Sequence, residues 1–120
     1  MISKKNIAEA IIQKAEIEHE DVRIMTTMVD GFERPEKIMN KEKEEEGGFT
    51  PDVMLRSKDG TELYEIDLAQ DFKLEKWKLF SRFSNNEKRS FCIVTPEEHL
   101  DPLREFLDWN NIEARILYFA

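Results

Sequence analysis

Cysteine is almost missing from this chain. Cys92 stands alone inside the apolar run FCIV, so the sequence offers neither a disulfide framework nor the CxxC spacing of a thiolate metal site. A reduced, cytoplasmic setting is the expectation. No apolar run is long enough to cross a bilayer, and the first residues lack the charged, apolar, small-residue order of a leader, so no membrane partner is anticipated. Histidine is scarce too: His19 and His99 are isolated, with no HxxxH pair, and carry no assigned chemistry. Positive charge is also short, with 18 Lys and Arg against 26 Asp and Glu, a net charge of −8. Affinity for nucleic acid comes largely from cations that neutralise phosphates, so this balance weakens any nucleic-acid partnership, although a local basic patch can override the global sign.

What is present fits one domain. A chain of 120 residues can bury a single core and is too short for two. Ser3 is placed to cap a helix over about residues 4–19, with Ile7, Ala10, Ile11, Ala15 and Ile17 near helical spacing. The β-branched stretch VRIMTTMVDGFERPEKI reads as an irregular strand or hairpin arm. A charge-rich segment at about 36–48, including MNKEKEEEGG, reads as a flexible acidic loop that adds nothing to the core.

The next two segments, VMLRS and ELYEIDL, flank the turn signal KDG and predict a β-hairpin. KLEKWKLFSRFS then places Leu74, Trp77, Phe80 and Phe83 on one side of a helix, with Lys73, Lys76, Lys78 and Arg82 on the more exposed sides. FCIV has the length of a buried strand, with Cys92 as a small core residue. Thr95, Pro96 and Glu98 match a capping box. Pro102 moves the main helix to a start near Asp101, supported by Leu103, Phe106, Leu107 and Trp109, and both tryptophans are assigned to core packing. IEARILYF closes the order as a strand. The fold class is α/β, a central mixed sheet flanked by helices.

The chemistry concentrates in three carboxylates. Alternation along ELYEIDL puts Leu63, Glu65 and Asp67 on one side and Tyr64, Ile66 and Leu68 on the other, which is read as the core face. The hairpin partner brings Asp52 toward Glu65 and Asp67. Like charges so close raise one another's pKa unless a cation neutralises them, and magnesium suits carboxylate oxygens.

Pro51-Asp52, a twelve-residue gap holding the hairpin turn, and then Glu65-Ile66 resemble the motif of the PD-(D/E)XK nuclease superfamily, the restriction-endonuclease-like fold. The element order fits the same pattern over most of the chain. The resemblance implies that Asp52 and Glu65 hold Mg2+, with Asp67 as a further ligand in a modified site and Glu9 or Glu16 able to add one from the first helix. The family places a lysine two residues after the glutamate, and here that position is Asp67, which would repel rather than stabilise charge on a phosphate. Lys73 or Lys76 on the following helix are the candidates to replace it. The expectation is therefore a divergent nuclease-like domain, inactive or atypical. The alternatives are an active Mg2+-dependent endonuclease with a migrated lysine and a non-enzymatic domain that binds a protein partner or a second copy.

Overall fold

The computed structural model describes residues 2–39 and 47–120. Ser3 opens the first helix, α1 (Lys4–Glu18), as expected: its hydroxyl accepts the Asn6 N–H, and the Asn6 side chain accepts the Ser3 N–H in return. That reciprocal cap satisfies donors the first turn leaves unpaired. Ala8, Ile12 and Ala15 form its buried face, while Ile17, Glu9 and Glu16 point to solvent.

Among the described residues seven strands follow: β1 (Arg23–Thr26), β2 (Ile38–Met39), β3 (Gly48–Phe49), β4 (Val53–Ser57), β5 (Gly60–Ile66), β6 (Arg89–Pro96) and β7 (Arg115–Phe119). Five of them build one mixed sheet in the order β1-β4-β5-β6-β7, antiparallel across β1, β4 and β5 and parallel across β5, β6 and β7. The parallel pairings need crossovers, supplied by α2 (Leu74–Phe83) and α3 (Leu100–Trp109). Among the described residues no helix is long and apolar enough to cross a membrane.

Helices cover both sides of the sheet. One apolar layer packs Val53, Leu55, Tyr64, Ile66, Cys92 and Val94 against Ala8 and Ala15 of α1. The other packs Met25, Met54, Leu63, Phe91 and Ile93 against Trp77 and Phe80 of α2 and Leu103 and Leu107 of α3. The side of β5 that carries Glu65 is thus as deeply covered as the side that carries Tyr64. This corrects the expectation of a single core face and moves the carboxylates indoors.

Three further expectations are revised. The segment at about 36–48 is not all loop: β2 and β3 pair as a short antiparallel ladder, and Ile38 is a core residue. The expected loop residues 40–46 lie outside the described residues. The capping box over Thr95, Pro96 and Glu98 does not form, because both Thr95 and Pro96 belong to β6 and Pro96 is extended at ψ 147°. The chain instead passes through a 3-10 turn, Glu97–His99, before α3, where Pro102 sits in the first turn and its missing N–H costs no helical bond. Trp109, assigned to the core, is 88% exposed at the end of α3. Beyond it, β7 forms one border of the sheet, with Leu117 and Tyr118 exposed.

Candidate functional site

The β4–β5 register pairs Val53 with Tyr64, and one further step back along β4 sets Asp52 opposite Glu65. There the hairpin exchanges ladder bonds for side-chain bonds. The Asp52 N–H donates to Glu65 Oε2 at 3.1 Å, and the Ile66 N–H donates to Asp52 Oδ2 at 2.8 Å. Each acid therefore anchors the strand that bears the other.

Helix α2 closes this pair from above. Trp77 Nε1 donates to Glu65 Oε1 at 3.0 Å, and Lys76 Nζ lies 3.0 Å from the same oxygen. A buried indole N–H needs an acceptor, and here the acceptor is the carboxylate that the sequence had marked for a metal. From α1, Lys4 Nζ reaches within 3.9 Å of Asp52 Oδ2. Glu65 is 3% exposed. Burial pushes its carboxyl above the usual range, the Asp52 charge pushes the same way, and Lys76 and Trp77 pull it back.

Asp67 departs from this group. It follows β5 directly, and its Oδ1 accepts the N–H groups of Ala69 at 3.3 Å and Asp71 at 3.0 Å, so it shapes the turn that leads toward α2. Gln70 sits inside that turn with a left-handed backbone, φ 57°. Asp67 Oδ2 is buried with no hydrogen-bond partner among the described residues, as is Thr95 Oγ1, which the parallel register places beside it. Lys73 is exposed and paired with Asp71; that bond holds its ammonium above the usual range, with smaller contributions from the Glu65 and Asp67 charges.

The sequence reading thus named seven residues, of which Asp52, Glu65 and Lys76 meet. Asp67 is turned into its own loop, and Lys73 belongs to Asp71. Glu9 and Glu16 point away. Two partners were missed: Lys4, for which the sequence carries no signal, and Trp77, whose need for an acceptor was the one available hint.

Much of the donor set that a magnesium ion would use is already engaged by the chain's own hydrogen-bond donors. Such an ion takes six oxygens in near-octahedral geometry. Both oxygens of Glu65 are occupied, Asp52 Oδ2 is held by a backbone N–H, and Asp67 Oδ1 by two. Among the described residues no group of three or more His, Cys, Asp or Glu side chains is placed to hold a metal ion. The two negative charges of Asp52 and Glu65 are met instead by the ammonium groups of Lys4 and Lys76.

No protein-family model, no curated protein and no solved structure matches the chain.

Proposed function

We propose that this chain is a divergent restriction-endonuclease-like domain that does not hydrolyse phosphodiesters, and that its former metal-ligating pair now serves as an internal clasp between hairpin and helix. The order of a helix, three antiparallel strands, a crossover helix and a parallel strand supports the fold kinship. One observation carries the functional half: Glu65, the residue that matches the family's second ligand, has both oxygens bound by its own chain, to the Asp52 N–H, Trp77 Nε1 and Lys76 Nζ. A lysine stands at the acid pair where the family holds its cation.

A second reading, an active Mg2+-dependent endonuclease, is favoured by the same lysine. Lys76 lies at the acid pair, where a lysine moved from the position of Asp67 onto α2 would act.

The two separate in one assay. The protein is incubated with Mg2+ or Mn2+ and single-stranded DNA, duplex DNA or RNA, beside Asp52→Ala, Glu65→Ala and Lys76→Ala. The expected result is no cleavage above background by any of them, with the three variants less stable than wild type. Metal-dependent cleavage by wild type that all three substitutions abolish overturns the clasp and establishes the enzyme.

A further inference from the structure

Helix α3 carries two stripes that the core leaves partly or wholly exposed. Pro102, Phe106 and Trp109 recur at helical spacing and form an apolar row; one position back, Asp101, Glu105 and Asp108 form an acidic row beside it. The apolar row borders a shallow, open groove of about 700 Å3, lined also by Phe72, Glu105 and Asp108. The floor is rigid. Phe72 stacks on Phe106 at a centroid distance of 4.9 Å, and Phe106 packs edge-on against the buried Trp77 at 5.9 Å. Above it stands Trp109, the most exposed of the large apolar side chains among the described residues. An exposed tryptophan beside half-buried aromatic rings, rimmed by carboxylates, offers a small apolar anchor point to a partner.

We propose that this groove docks an amphipathic basic helix of a partner protein, with the partner's apolar side chains on Phe72, Phe106 and Trp109 and its lysines or arginines against Asp101, Glu105 and Asp108. Charge selects the occupant. The groove lining holds two carboxylates and no cation, and neither Glu105 nor Asp108 has an ion-pair partner among the described residues. Nucleic acid would bring phosphate to that acidic rim and is repelled. A second copy of this chain offers a basic helix only in α2, whose Trp77, Leu79 and Phe80 are spent in its own core. The row from Pro102 to Trp109 spans about two helical turns, which suits a helix laid in a groove and read at i, i+4 and i+7. The groove lies apart from the oxygens of Asp52 and Glu65, so the inference does not depend on what those carboxylates do.

The test uses the whole protein and two dye-labelled helical peptides of about five turns, one with leucines at i, i+3, i+4 and i+7 and lysines elsewhere, the other with glutamates in place of the lysines. Fluorescence anisotropy should show binding of the lysine peptide alone, with a blue shift of tryptophan emission as Trp109 is covered. Trp109→Ala should weaken binding at least about tenfold, the usual effect of removing an aromatic anchor. The double reversal Glu105→Lys with Asp108→Lys should move the preference toward the glutamate peptide. All three side chains are rim or solvent residues, and circular dichroism checks that the variants fold. Equal binding of both peptides, or lysine-peptide binding indifferent to Trp109→Ala, overturns the proposal. So does concentration-dependent dimerisation that Trp109→Ala abolishes, since it gives the groove to a second copy.

Discussion

A glutamate that is almost fully enclosed must either lose its charge or be compensated, and Glu65 is compensated by one ammonium and two N–H donors. The compensation is incomplete, because burial and the Asp52 charge hold its carboxyl above the usual carboxylate range despite Lys76 and Trp77. The linkage has a definite sign. A carboxyl raised in the folded state favours folding below the unfolded value, and that advantage is lost as pH climbs through the folded value. Stability of wild type relative to Glu65→Gln should therefore fall as pH rises from 4.5 toward neutrality, whatever constant offset the lost hydrogen bonds add. Urea melts of both proteins at several pH values measure the slope; a flat difference would mean that Glu65 is not held above its ordinary range. Asp67 has a different local role. Its position next to the motif glutamate suggested a ligand, but an aspartate at a strand end with free N–H groups two and four residues on finds its partners nearer home.

At the level of elements, the hairpin locks to the rest of the molecule through Gly60. Its backbone has φ 129°, and a Cβ there would stand 2.0 Å from the Lys88 carbonyl oxygen, in the loop that joins α2 to β6. The neighbouring Thr61 N–H donates to that same oxygen at 2.8 Å. Gly60→Ala should cost roughly 2–4 kcal/mol, from the disfavoured backbone together with the clash. Chemical denaturation reads this directly, and a loss below about 1 kcal/mol would show that the loop yields freely. The hairpin itself was legible, since KDG between two β-rich runs is a strong local signal, and so were the three helices and the last two strands. Burial on both sides of β5 was not. A strand covered on both faces normally reads as a continuous apolar run, whereas GTELYEI interleaves Glu62, which pairs with Tyr64 and Arg115, and Glu65, whose partners come from α2. Trp109 misled for the converse reason: helical spacing shows which residues share a side, not whether anything lies against it. At the site, the meeting of Asp52 and Glu65 followed from strand pairing and could be read in advance, while the lysine and indole that close over them depended on tertiary packing.

Considered whole, the protein is a layered sandwich, with α1 below the sheet and α2 and α3 above it, and the candidate clasp joins the sheet to both layers through Lys4 and Lys76. The acidic excess of eight charges opposes self-association by like-charge repulsion. That protection is thinnest along β7. Its sequence, RILYF, has one charge at its start and neither proline nor lysine, and Leu117 and Tyr118 stay uncovered. Natural sheets usually blunt such a border with charge, proline or a bulge. Concentrated stocks should therefore thicken slowly into strand-templated oligomers, visible as a dye-binding signal after a lag, and Leu117→Lys should lengthen that lag without lowering the melting temperature. If both proteins keep equally well, the border is already shielded. If they do not, a single lysine would decide the shelf life of this molecule.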